Sequence, residues 1–203
     1  MIDASLEPAV PARPENALSD LTRLAVAAQT RRGEEDLLWR QARPRLLRIA
    51  LALRVPVADA PDIVQDVLIA AHRALARFDP ARGTFEGWLG AILVRRARNF
   101  ERFRRRRDLF LDALRALGMP IAARAPVDLE PVEARMLVDR LLGGLSASQR
   151  EVVALYEIGG FSADETAGIL RLTPAGVRSI ARDARRRLAE AARGPAGAAT
   201  EGP

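Results

Sequence analysis

The chain has 203 residues, a formal net charge of +6 and 32 basic residues, every one an arginine. It lacks cysteine, which excludes a disulfide framework and a thiolate metal site, and its 4% aromatic content with few β-branched runs favours an all-α protein of one large or two small domains. No apolar run approaches the ~20 residues needed to span a bilayer, and no cationic segment followed by an apolar one opens the chain, so a cytoplasmic protein without membrane insertion is expected.

Residues 1–28, with Pro8, Pro11 and Pro14, read as a mobile arm that turns helical near residues 18–28. A first domain is expected over residues 29–107. Its first helix, over residues 34–53, carries Leu37, Leu38, Leu46, Ile49 and Leu53 at helical spacing and stops before Pro56. A second helix over residues 59–77 starts at Pro61 and turns Ile63, Val67, Ala70, Ala71 and Ala74 inward. The sequence FDPARGT, residues 78–84, breaks the pattern. A third helix over residues 85–107 presents Phe85, Trp88, Leu89, Ile92 and Leu93 to a core and then changes character. Residues 95–107, RRARNFERFRRRR, hold eight arginines and one glutamate, and such a segment has no intrinsic reason to stay helical unless a polyanion neutralises it.

Residues 108–129, with Gly118, Pro120 and Pro126, form a linker or partly helical connector. A second helical domain follows over residues 130–193, and residues 194–203 form a flexible tail. Three helix starts stand close together in this second domain. Ser146-x-x-Gln149 and Ser162-x-x-Glu165 are capping boxes, and Thr173-Pro174 pairs a hydroxyl N-cap with the helical position where proline is tolerated. This is a helix-turn-helix with a recognition helix after Pro174. Val177, Ile180 and Leu188 are placed to pack inward, leaving Arg178, Ser179 and Arg182 outward; Arg178 and Arg182 are expected on base edges, and Arg185, Arg186 and Arg187 on phosphates. The bland alternative is a solvated arginine face. A G+C-rich genome explains why arginine replaces lysine throughout, but not why the arginines cluster here and at residues 95–107.

Two further groups are ambiguous. Five of the nine aromatic residues, Phe78, Phe85, Trp88, Phe100 and Phe103, fall near the arginine block, a pattern that suits stacking on single-stranded nucleic acid. Trp88 reads as core, whereas Phe78, Phe100 and Phe103 fit either role. Asp59, Asp62 and Asp66 share one face of the second helix. They suit docking of a basic protein better than Mg²⁺ binding, because no second carboxylate cluster, catalytic lysine or phosphate-cradling glycine loop accompanies them. His72, the only histidine, reads as a surface residue and not as a ligand. No nucleophile–base pair stands out, so neither catalysis nor a cofactor is expected.

These residues in this order resemble a bacterial RNA polymerase sigma factor of the sigma-70 family, extracytoplasmic-function type. DAPDIVQDVLIAAHRALARFDPARGTFEGWL is similar to the family's core-binding and −10 segments, and LSASQREVVALYEIGGFSADETAGILRLTPAGVRSIARDARRRL to its −35-reading domain. The resemblance implies that Asp62, Gln65 and Asp66 dock on the coiled coil of the polymerase clamp, with the second domain on the flap. It implies −10 contacts by Phe78, Arg82, Arg95, Arg98, Asn99 and Arg102, where the break and following helix capture an unstacked base. It implies −35 contacts by Arg178, Ser179 and Arg182, supported by Arg185 and Arg186. The implied partners are core RNA polymerase, promoter DNA and, as in many relatives, an anti-sigma factor. The chain departs from the family where Val94-Arg95 replace a common Arg-Asn, and where Arg171 occupies a turn position that usually holds glycine. One rival remains at this point: the second domain alone also resembles the DNA-binding domain of dimeric LuxR-type activators.

Overall fold

The computed structural model describes residues 19–31, 33–117 and 142–193, and all the regular structure within them is helical. Helix α1 (Asp20–Ala28) is started by Ser19, whose Oγ accepts from the Thr22 amide at 3.2 Å. Helix α2 (Glu34–Ala52) buries Leu38, Ala42, Leu46 and Ile49, while Leu37 faces outward at 45% exposure and Leu53 is half-buried. Helix α3 (Ala60–Ala74) begins at Pro61 and buries Val64, Val67 and Ala71. Its buried face is centred on Val64, so Ile63, Ala70 and Ala74 flank the core where a central place was expected.

Residues 75–84 leave the helical register in two single 3₁₀ turns, Leu75–Arg77 and Pro80–Arg82, and the Asp79 carboxylate accepts from the Ala81 amide at 2.9 Å. Thr84 then caps α4 (Phe85–Ala116): its Oγ1 accepts from the Gly87 amide at 3.1 Å and its carbonyl from the Trp88 amide at 3.0 Å. Phe85, Leu89, Ile92, Leu93, Val94 and Ala97 form the buried stripe.

Helix α4 runs through the arginine block over residues 95–107 as the third helix was expected to, and it continues into the expected linker as far as Ala116, which makes that connector partly helical. Arginine is itself a good helix former, and Glu101 offsets repulsion from within by pairing with Arg104 at 3.1 Å and Arg105 at 2.9 Å. Burial pushes the Glu101 carboxyl up, but these two guanidinium groups outweigh it and hold it below the usual carboxylate range. The rest of the expected linker and the start of the second domain lie outside the described residues, as do most of the N-terminal arm and the C-terminal tail.

Beyond residue 142 both capping boxes form as the spacing predicts. Ser146 starts α5 (Ala147–Val152), which runs on through a π-helical segment, Val153–Ile158, and Ser162 starts α6 (Ala163–Leu170). The Gly159 amide closes the π turn on the Ala154 carbonyl at 2.9 Å. A Cβ at Gly159 would lie 2.7 Å from the Leu155 carbonyl oxygen, so only glycine fits there. Helix α7 (Pro174–Arg193) starts at Thr173, whose Oγ1 accepts from the Gly176 amide at 3.1 Å.

Arg171 ends α6 in the left-handed region at φ 59° and ψ 47°. Its Cβ is costly there, which is why glycine suits such a turn better. Arg171→Gly is expected to raise stability by about 0.5–1 kcal/mol, the relieved strain being partly offset by the extra freedom of the unfolded chain. Urea denaturation checks this; an unchanged or lower midpoint would show the backbone to be unstrained.

One buried cluster runs through α1 to α4 and on into α5, α6 and α7, from Ala25 to Ala181, with a smaller one formed by Leu142, Leu145, Val153 and Ala184. The two small helical domains therefore meet over a shared apolar seam. Gly90 of α4 makes the approach possible: a Cβ there would stand 3.0 Å from Phe161 and 3.3 Å from Ile169.

Candidate nucleic-acid interface

Helix α7 carries the clearest site. Val177 is fully buried and Ile180 and Leu188 are half-buried, which turns Arg178, Ser179 and Arg182 to solvent as the capping pattern predicts. Among the described residues neither Arg178 nor Arg182 forms an ion pair, whereas their neighbours are engaged. Arg185 pairs with Glu157 at 2.6 Å, Arg186 with Asp183 at 3.3 Å, and Arg187 donates to Gln149 Oε1 at 3.4 Å. Two unpaired guanidinium forks on the leading turns of a capped helix are suited to base edges; the paired ones further along are suited to phosphates.

The second site is the 78–84 break with the face of α4 that follows it. Arg77, Phe78, Asp79, Arg82, Gly83, Thr84 and Trp88 line a small open pocket. Phe78 is a core ring and not an exposed platform: it is 7% exposed, meets Phe85 edge-on at 5.1 Å and lies 5.6 Å from Trp88. It contributes to the pocket only as wall. Trp88 is half-buried against the core, Phe100 likewise, and Phe103 is 68% exposed. Arg82, Arg95, Arg98, Asn99 and Arg102 are all solvent-facing. They differ in availability. Arg102 donates to Asn99 Oδ1 within α4, while Arg98 forks onto Glu151 of the other domain at 2.6 and 2.8 Å. That hydrogen bond raises the Arg98 pKa further. Arg95 forms no ion pair among the described residues.

On α3, Asp62, Gln65 and Asp66 point outward together, and Ile69, 41% exposed, extends the same face by one turn. Ile69 escaped the sequence reading; an apolar residue three positions after Asp66 was the available signal. Asp59 at the helix start is half-buried and stands apart from that exposed group. Among the described residues no group of three or more His, Cys, Asp or Glu side chains is gathered closely enough to hold a metal ion. His72 is a surface residue whose Nδ1 lies 3.0 Å from Glu35 Oε2.

Arg45, also missed, sits where the domains meet. Its Nε donates to the Gly159 carbonyl at 2.8 Å, its guanidinium lies 4.7 Å over the Phe161 ring, and Glu86 stands at 3.6 Å. Burial lowers its pKa, against the pull of Glu86 and Glu165. No local pattern marks it, because its partners lie on distant segments.

Comparison with known proteins agrees with this geometry. Sigma-70 region 2 matches residues 38–108 and Sigma-70, region 4 matches residues 135–188. The RNA polymerase sigma factor CnrH of Cupriavidus metallidurans is 35% identical over 150 residues, covering 70% of this chain and 78% of its own. NccH of Alcaligenes xylosoxydans xylosoxydans, another RNA polymerase sigma factor, is 30% identical over 171 residues, covering 81% of this chain and 91% of its own. The ECF RNA polymerase sigma-E factor of Escherichia coli K12 is 33% identical over 135 residues, covering 62% and 69%. Among solved structures, CnrH in complex with the cytosolic domain of CnrY superposes with a TM-score of 0.66 at 29% identity, covering 87% of this chain and 99% of that one. The sigma factor RpoE bound to the anti-sigma factor NepR from Bartonella quintana gives a TM-score of 0.57 at 27% identity, covering 76% and 94%. These relatives are sigma factors, which are not enzymes. A match across residues 38–108 as well as the helix-turn-helix disfavours the LuxR-type reading, which gives the first domain no such role. The chain belongs to the sigma-70 family of RNA polymerase sigma factors, and within it to the extracytoplasmic-function type.

Proposed function

We propose that this sigma factor divides promoter recognition between its two domains, residues 29–107 and 130–193, and leaves all catalysis to the polymerase. The chain binds core RNA polymerase and directs promoter-specific transcription initiation in the cytoplasm. Asp62, Gln65 and Asp66, with Ile69 beside them, dock on the clamp coiled coil of the polymerase, and the second domain sits on the flap. The 78–84 pocket takes an unstacked base of the −10 element, with Arg82 at its rim and Arg95, Arg98, Asn99 and Arg102 tracking the adjacent backbone. Arg178, Ser179 and Arg182 read the −35 duplex through its major groove, and Arg185 and Arg186 hold its phosphates.

The observation that carries this reading is the outward face of α7, where Arg178 and Arg182 form no ion pair among the described residues, beside three engaged arginines. Linking a duplex reader to a single-strand reader makes the second contact intramolecular, so two weak contacts yield one selective one. No described helix is long and apolar enough to cross a membrane. The solved complexes of CnrH with CnrY and of RpoE with NepR support an anti-sigma factor as a further partner of this chain.

The acidic face supplies the test. Asp62→Asn combined with Asp66→Asn is expected to weaken binding to core polymerase at least tenfold, about 1.4 kcal/mol, with the fold intact because both side chains are exposed. Fluorescence anisotropy with labelled chain reads the affinity. Unchanged affinity would remove the docking role from this face, and Mg²⁺-dependent DNA cleavage that the substitutions abolish would return the carboxylates to metal chemistry.

A further inference from the structure

Helix α1 lies against the break that forms the 78–84 pocket and grips it at both ends. Just past its C-terminus, the Gln29 side-chain amide donates to the Leu75 carbonyl and to the Phe78 carbonyl, each at 2.8 Å. Both partners are acceptors, so the amide nitrogen must face them, and its two hydrogens are both used. Near its N-terminus, the buried Thr22 hydroxyl accepts from the Phe85 amide at 2.9 Å and donates to Glu86 Oε2 at 3.1 Å. Ala25 and Ala28, buried between these two grips, seat α1 in the main apolar cluster.

The break cannot hold its own shape. Between its two 3₁₀ turns, Phe78 and Asp79 are extended, at φ −65°, ψ 127° and φ −119°, ψ 111°. The Phe78 amide bonds back to the Leu75 carbonyl at 3.0 Å and the Arg82 amide to the Asp79 carbonyl at 3.1 Å, so each turn closes only on itself. Pro80 has no amide to link them. Gln29 supplies that link from outside, by tying the first turn to the peptide that leads into the second. Holding the Phe78 carbonyl fixes the direction in which residues 79–83 leave, and with it the part of the pocket formed by Arg82 and Gly83.

We infer that Gln29 is a positioning residue for capture of the unstacked base, acting through the backbone on either side of Phe78. The inference rests on the assignment of the 78–84 pocket to the −10 strand. Gln29 lies outside the pocket lining and so acts on the base only through the residues it holds. A cradle fixed in advance avoids the ordering cost that a loose one meets at every binding event. Gln29 is itself exposed, so its loss slackens the break while leaving the core packed.

Gln29→Met keeps the length and flexibility of the side chain and removes both donors, whereas Gln29→Lys returns donors on a longer stem. Holoenzyme is assembled from core RNA polymerase and the full chain. Fluorescence anisotropy then reads its affinity for a single strand carrying the −10 element of a promoter on which the chain initiates. The same strand is made abasic at each position in turn. One abasic position should weaken binding to the wild-type holoenzyme far more than the others, marking the captured base. At that position the ratio of intact to abasic affinity is expected to fall by roughly fivefold or more in Gln29→Met. The abasic strand should bind both proteins alike, and core affinity and the thermal midpoint of the free chain should match wild type. Gln29→Lys should restore most of the ratio; its added charge acts on both strands and cancels. An unchanged ratio in Gln29→Met would overturn the inference. So would an equal loss on both strands, the mark of a general structural defect. A wild-type holoenzyme indifferent to every abasic position would instead remove base capture from the pocket, and the role of Gln29 with it.

Discussion

Phe85→Ala is expected to destabilise the chain by about 3–5 kcal/mol, a large share of the stability available to a domain of this size. Phe85 is fully buried at the start of α4, 5.1 Å from Phe78, 5.5 Å from Trp88 and 6.1 Å from Trp39 between ring centroids, and its amide donates to Thr22 Oγ1 at 2.9 Å. Removing the ring leaves a cavity bounded by three stiff aromatic groups from α2, the break and α4, which cannot collapse into it. The 78–84 pocket should loosen with it, because Phe78 and Trp88 form its wall. Both tryptophans of the chain touch the lost ring, so their intrinsic fluorescence during urea denaturation reports the effect directly. A loss below about 1 kcal/mol would mean that the cluster repacks freely.

Arg178→Ala together with Arg182→Ala is expected to lower initiation from a promoter bearing its −35 element by at least 100-fold. Each bidentate base contact contributes roughly 1–3 kcal/mol, and the two side chains are one helical turn apart, so their losses need not add. Affinity for core polymerase should change little, since both residues are solvent-exposed on α7 and neither belongs to the acidic face of α3. Run-off transcription paired with a polymerase-binding assay separates the two effects. Loss of polymerase binding in parallel would place α7 in the polymerase interface instead.

How much of this was legible in the chain follows the range of each interaction. The two capping boxes and the Thr173 cap depend on contacts three residues apart, and all appear where the spacing puts them. The inward placement of Val177 and the outward placement of Arg178 and Arg182 follow from helical periodicity alone. The run of α4 past residue 107 to Ala116 makes the connector partly helical; its end was hard to place because the nearest breaker, Gly118, stands beyond it, while the helix propensity of arginine and the internal pairs of Glu101 sustain the turns before it. Phe78 could not be assigned because a lone phenylalanine in a Pro/Gly break looks the same whether it faces solvent or core. The domain seam left no local trace: Thr84 and Glu165 are 81 positions apart, Arg45 and Gly159 are 114 apart, and Arg98 and Glu151 are 53 apart.

Reconstituted transcription tests the central claim most directly: the purified chain, bacterial core polymerase and a pool of promoter fragments, with the start sites sequenced. The account predicts initiation that requires this chain and selects fragments sharing two separated elements, the upstream one losing its influence in the Arg178→Ala, Arg182→Ala protein. Initiation that proceeds equally without the chain, or selection of a single palindromic site by a dimer that never joins the polymerase, would contradict it.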